Sequence, residues 1–243
     1  MRPVRRGLSP QVGDFVPYTS AKVHLVSRIG MYCSYCERPV KTGLAVEHIQ
    51  PKSLPLFSHL EGEWSNFLLA CINCNSAKSR KTSLLEDHYF PDRDNTFVAL
   101  EYLPDGQVRP TQNLALDRRD LAINTILLTD LDKKVVQAID ENGRIVAFDR
   151  VSQRVEAWII AEEALADWQS NPCNEVKIGI RRSAVAMGVF SIWMAVFVSC
   201  PEILSTLIDA FPGTRASGCF DQVTSVPLSP HPNLDGLPMG GKI

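Results

Sequence analysis

Cys33-Ser34-Tyr35-Cys36 and Cys71-Ile72-Asn73-Cys74 are the two stretches around which this chain has to fold. Each offers two thiols from one tight turn, and 34 residues lie between the pairs. Four thiolates presented two by two complete a tetrahedral site, and their softness suits a structural zinc ion. The separation is longer than in the common zinc ribbon, so a folded unit has to sit between the knuckles. Four free thiols in a core are the competing reading, and the pairwise spacing argues against it. The other three cysteines, Cys173, Cys200 and Cys219, lack ligand spacing and read as ordinary thiols. Met1–Pro10 is basic, but no apolar segment follows it, so no secretory leader is read. A cytoplasmic setting is therefore expected, where paired cysteines hold metal more often than they form disulfides.

Between the knuckles, Leu44–Ile49 reads as a strand stopped by Pro51, and Asn66–Ala70 is a second short apolar run. After the second knuckle, Asn75–Ser83 is polar, basic and compatible with helix. The order is knuckle, strand, loop, strand, knuckle, helix. Five polar residues stand out along it: Glu47 and His48 near the end of the first strand, Asn66 before the second, Asn75 directly after the last cysteine, and Lys78 one helical turn further on.

The blocks Cys-Ser-Tyr-Cys (33–36), Glu-His-Ile-Gln-Pro-Lys-Ser (47–53) and Trp-Ser-Asn-Phe-Leu-Leu-Ala-Cys-Ile-Asn-Cys-Asn-Ser-Ala-Lys (64–78) resemble the HNH endonuclease family, with its ββα-metal fold braced by a four-cysteine zinc site. The resemblance covers roughly residues 30–85. It implies a metal-dependent endonuclease that hydrolyses phosphodiester bonds, in DNA before RNA. It makes His48 the general base, Glu47 and Asn75 ligands of a catalytic Mg2+ or Mn2+, and Asn66 the residue that holds the loop so that His48 is aimed. A histidine changes charge near neutral pH, as a base must. A hard cation on oxygen ligands neutralises charge that develops on a phosphodiester. A helix starting at Asn75 would also aim its first N–H groups at the phosphate. Lys78, Arg80 and Lys81 are the expected substrate contacts. Two positions depart from the commoner pattern: Glu at 47 instead of Asp, and Asn at 75 instead of His, which leave the choice of metal open.

The chain has 243 residues and a net charge of −2, but the charge is uneven. Residues 1–86 hold eleven Lys and Arg against six Asp and Glu, while the remainder is acidic. A basic part favours approach to a polyphosphate. Met1–Pro17 reads as an irregular arm. Ser20–Gly30 reads as a helix with Val23, Val26 and Ile29 on one stripe, capped by Gly30. Beyond the zinc region, Thr96–Tyr102 and Val108 onward flank Pro104-Asp105-Gly106, a hairpin signal. Leu116–Leu131 and Val151–Gln169 read as helices, the latter with Val151, Val155, Trp158, Ile159, Leu165 and Trp168 at helical spacing. Lys134–Phe148 reads as a break at Glu141-Asn142-Gly143 in preference to a hairpin there, and Glu175–Ala210 as one or two helices stopped at Pro201. Ala184–Cys200 is an apolar run of 17 residues, read as a core or interface helix and not as a membrane span.

The fold class is therefore α+β. An HNH domain over residues 1–95 is followed by a mostly helical region over 96–224 and a flexible tail over 225–243 rich in Pro and Gly. This layout also resembles the PtuB-like HNH subunits of Septu and retron anti-phage defence systems, which work beside an ATPase partner. The C-terminal half, with its apolar run, would then dock a protein partner or a second copy. Two other readings stay open: a zinc-dependent module that binds nucleic acid without cutting it, and an RNA-cleaving nuclease. Among weaker signals, His88, His24 and His59 read as surface or structural residues, and Trp64 as packed beneath the loop.

Overall fold

Residues 45–48 and 67–70 are short runs that can form an antiparallel ribbon across a long loop, and they do. In the computed structural model β1 (Ala45–His48) pairs with β2 (Phe67–Ala70), with Glu47 opposite Leu68 and His48 opposite Phe67. Every residue of β2 is buried, so this strand is covered on both faces, and it carries no polar side chain. The structure describes the 243 residues apart from 79–80, 134–137, 140, 143–144 and 147–148, and only the backbone of 138–139 and 145–146.

α1 (Lys22–Ile29) ends at Gly30, whose φ of 76° is a conformation glycine adopts without strain. Its buried face is Leu25 and Ile29; Val23 is exposed, so the stripe is turned from that expected. α2 (Ile72–Lys78) begins inside the second knuckle, three residues earlier than expected. The Asn75 N–H already donates to the Cys71 carbonyl at 3.0 Å, so Asn75 lies within the helix and its amide N–H is not free for an anion.

The arm is the first large difference from expectation. Its first six residues thread into the core, while residues 8–14 stay exposed. Met1, Arg2, Val4 and Arg6 are buried. The Arg2 guanidinium donates to the carbonyls of Ile29 and Pro212 and to Thr214 Oγ1. Arg6 donates to the carbonyls of Ser65 and Phe67 and pairs with Asp92 at 2.7 Å. These arginines satisfy buried backbone oxygens; they add nothing to a basic surface.

The rest is mostly helical. α3 (Thr96–Ala99) is a single turn that leads into β3 (Leu100–Tyr102), which pairs with β4 (Val108–Pro110) around the expected Pro-Asp-Gly turn. α4 (Leu116–Leu128) follows. β5 (Ala138–Ile139) and β6 (Ile145–Val146) pair antiparallel, so the described part of Lys134–Phe148 is a hairpin and not a broken helix; the remainder lies outside the described residues. α5 (Arg150–Ser170) starts at a capping box in which Asp149 accepts from the N–H groups of Val151 and Ser152. α5 packs on α6 (Asn174–Met187) and α7 (Phe190–Val196), and α8 (Pro201–Ala210) closes the bundle.

The 17-residue apolar run is not one helix. It breaks at Gly188 and Val189, with φ of 69° and 49°. The break is where the bundle meets the first knuckle: Val189 N–H donates to the Glu37 carbonyl, and a Cβ on Gly188 would lie 2.6 Å from that same oxygen. Pro201 starts a helix instead of stopping one, as suits a residue without an N–H. Phe190, Ile192, Trp193 and Met194 are buried, so the apolarity that pointed to a partner surface is taken up by packing within the chain. Among the described residues, no helix is long and apolar enough to cross a membrane. The tail also differs from expectation. Asn95 donates to the Leu228 carbonyl, Gly241 N–H to the Arg93 carbonyl, and Lys242 pairs with Asp94 at 3.0 Å. Segment 225–243 thus packs against Asp92–Thr96 through its turns.

Candidate active site and metal centre

The two knuckles meet. The first is closed by Cys33 N–H to the Arg38 carbonyl and Glu37 N–H to the Cys33 carbonyl, with Glu37 in the left-handed region at φ 61°. The second is the first turn of α2. The Sγ atoms of Cys33, Cys36, Cys71 and Cys74 lie within 4.8 Å of one another and all four residues are buried. A Zn–S bond of about 2.3 Å sets a tetrahedral S–S edge near ~3.8 Å, and Cys36 and Cys71 stand 3.7 Å apart. Burial pushes the Cys33 thiol up, while hydrogen bonds from Cys33, Cys36 and Cys74 hold Cys71 well below the usual thiol range. Four thiols this close cannot all ionise unaided, and a divalent ion removes that conflict. The donor set fits zinc.

One contact at this cluster had no signal in the sequence. Arg150, first residue of α5, donates to Cys74 Sγ at 3.1 Å and to the carbonyls of Thr129 and Asp130. The helical region thus supplies a cation to the thiolates.

Glu47 and His48 are neighbours on β1 and so project to opposite faces of the ribbon. Glu47 faces α2. Its Oε1 lies 2.9 Å from Lys78 Nζ and 3.5 Å from Tyr35 Oη, and the Glu47 and Lys78 side chains are almost fully enclosed, at 4% and 2% exposed. Burial raises Glu47 and lowers Lys78, each partly offset by the other's charge. Lys78 also donates to the His48 carbonyl at 2.6 Å. The side chain expected on a substrate phosphate is instead an internal brace between the two polar residues of β1.

His48 Nε2 lies 2.9 Å from the Glu61 carbonyl. A carbonyl only accepts, so Nε2 carries the hydrogen and the lone pair of the neutral ring sits on Nδ1. Burial lowers the His48 pKa, and Lys52 and Lys78 add to that, against the Glu61 hydrogen bond. The imidazole is therefore neutral at pH 7. Its ring contacts Tyr18 and Phe67.

Asn66 ties the loop to the strand. Its Oδ1 accepts from Gln50 N–H at 2.8 Å, and its Nδ2 donates to the carbonyls of Gln50 and Leu60. Leu60 precedes Glu61, so the same side chain that closes the loop positions the acceptor of His48. Asn75 is half-buried on α2, with no side-chain hydrogen bond among the described residues. Lys81 turns away: it pairs with Asp130 at 2.6 Å and donates to the carbonyls of Leu127 and Leu128. Arg80 lies outside the described residues. Trp64 packs under the loop as expected, its Nε1 donating to the Gly7 carbonyl at 2.8 Å. His88 is buried, not on the surface, and its Nδ1 meets the Leu84 carbonyl.

The residues brought together are thus Glu47, His48, Asn66 and Lys78, with Asn75 one turn before Lys78. Tyr18, Tyr35, Glu61 and Arg150 join them unannounced. Tyr35 alone had a hint, its place inside the first knuckle. A search of curated proteins finds no match to the chain. The model of one protein family, HNH endonuclease, matches residues 33–81, and this stretch of knuckles, hairpin, loop and α2 is the chain's HNH endonuclease domain.

Proposed function

We propose that this chain is a metal-dependent endonuclease that hydrolyses phosphodiester bonds in DNA, with His48 as the general base. An HNH domain implies nuclease-type activity with a metal site. The observation that carries the assignment is the hydrogen bond from His48 Nε2–H to the Glu61 carbonyl, which leaves Nδ1, unbonded among the described residues, as the acceptor of a neutral, enclosed ring. In this reading Nδ1 takes the proton of an attacking water. Asn66 holds the Leu60 carbonyl, and so places the adjoining Glu61 carbonyl that accepts from the ring. Glu47 and Asn75 would hold a Mg2+ or Mn2+ ion, which when bound supplies positive charge to the scissile phosphate. Glu47 and Asn75 offer the kinds of oxygen donor a hard cation takes, and the Lys78 ammonium now on Glu47 Oε1 would have to give way to the ion. Lys78 opposes the rise that burial gives the Glu47 carboxyl. The zinc cluster holds the frame. Residues 1–95 form the catalytic part in this proposal and 96–224 the bundle that buttresses it. The Glu47–Ser53 and Asn66–Asn75 blocks favour a nuclease effector of an anti-phage defence complex as the setting.

Supercoiled plasmid with Mg2+ or Mn2+ tests this. Wild type nicks or linearises the plasmid, EDTA abolishes the reaction, and His48→Ala reduces the rate by about 10²–10⁴ at unchanged zinc content. Cleavage that persists in His48→Ala would overturn the assignment. Cleavage of RNA alone in a parallel reaction would move the substrate from DNA to RNA.

A further inference from the structure

Tyr18 lies outside the segment that the HNH family model matches, in the turn Tyr18–Ala21 before α1, yet its ring is packed on His48. The two ring centroids are 4.7 Å apart at 64°. Phe67 stands on the same imidazole at 5.2 Å and 83°, and Tyr18 and Phe67 are 6.4 Å apart. His48 therefore sits in a corner made by two aromatic rings. Lys52 Nζ lies 4.1 Å over the Tyr18 ring and pairs with the Glu61 carboxylate. The Glu61 carbonyl in turn accepts from His48 Nε2. His48, Tyr18, Lys52 and Glu61 thus close a loop of contacts around the imidazole.

A histidine's second torsion is broad and nearly two-fold, so a ring held by one hydrogen bond can turn over and exchange Nδ1 for a carbon. An edge-on aromatic wall opposes that rotation. We propose that Tyr18 is a positioning residue: its ring, held by Lys52, fixes the rotation and tautomer of His48. This rests on the reading of His48 as general base. The Tyr18 hydroxyl has no hydrogen-bond partner among the described residues, so the ring carries the effect.

The test pairs kinetics with nitrogen-15 NMR of the His48 ring in the full zinc-loaded chain. Tyr18→Ala lowers kcat about tenfold, the population weight of one aromatic pair, with KM unchanged. Tyr18→Phe stays within about twofold of wild type on both. At one fixed pH and without substrate, wild type and Tyr18→Phe show the Nε2–H tautomer, and Tyr18→Ala shows averaged nitrogens. Unchanged kcat in Tyr18→Ala, a change in KM alone, equal loss in Tyr18→Phe, or an unaltered tautomer in Tyr18→Ala each overturns the proposal. If wild type cuts no nucleic acid, the nuclease reading fails by itself, and the NMR comparison still tells whether Tyr18 fixes the ring.

Discussion

Replacing Lys78 by methionine removes a charge and keeps most of the volume. In the folded chain Lys78 Nζ lies 2.9 Å from Glu47 Oε1 and 2.6 Å from the His48 carbonyl. The lysine is buried. Glu47 would then be left in an enclosed site with the long contact to Tyr35 and the His48 N–H, and no countercharge among the described residues. Breaking one side of such a pair costs about 3–5 kcal/mol, because the remaining charge is buried without compensation. With a denaturant slope of about 3 kcal/mol/M, at the upper end of the usual range, the urea midpoint falls by roughly 1 M or more. The double variant Glu47→Gln/Lys78→Met removes both charges and recovers most of that loss, since a buried pair is worth little against neutral groups of similar shape. Urea unfolding of the zinc-loaded chain, without other divalent ions, measures all four corners of the cycle. The reasoning is refuted if Lys78→Met unfolds within about 1 kcal/mol of wild type while its affinity for DNA drops and becomes less salt-dependent. That result would return Lys78 to the surface role its sequence position suggests.

Two further outcomes follow from contacts away from Glu47. Arg150→Gln removes the guanidinium on Cys74 Sγ, and outer-shell partners of this kind change metal affinity about 10–100-fold; zinc transfer to a chromogenic chelator should be correspondingly faster, and an unchanged rate would show that the contact is incidental. His231 titrates at about 4, lowered first by burial and opposed by Asp92 and Asp235. Its Nδ1 accepts from Asn233 N–H, so protonation sets two donors face to face. The folded value lies below the unfolded one of 6.5, so the stability that neutral His231 contributes is present above pH 6.5 and lost as pH falls towards 4. At about 1.36 kcal/mol per pKa unit this is about 3 kcal/mol. His231→Gln should flatten the fall in urea midpoint between about pH 6.5 and 4.5, and an equally steep fall would place the acid sensitivity elsewhere.

Much of the HNH domain was legible before the structure. Cysteine spacing, the Glu47-His48 pair and the two short apolar runs are local patterns, and local chemistry enforces them. A C-x-x-C turn brings its own thiols together, and a four-residue apolar run next to a knuckle has little choice but to pair. The bonds of Asn66 are local too: it joins residues 50 and 60 of one loop.

The arm, the tail and the basic bias misled for a common reason. Charge and proline content say what a segment would do in water, not whether another segment offers it acceptors. Arg2 and Arg6 look like surface cations until Ile29, Pro212, Ser65 and Phe67 present carbonyls to them. Lys78 has the spacing of a phosphate contact, yet the face of α2 that carries it packs on β1. The break at Gly188–Val189 likewise depends on the approach of Glu37, 151 residues earlier in the chain than Gly188. Residue types and short spacings therefore settle the four-cysteine cluster, the hairpin and the identity of the polar pair on β1. Which cations face water, which ring walls His48 and which helix supports the thiolates depend on contacts between residues far apart in sequence, because burial and pairing are properties of the packed chain and leave no trace in local order.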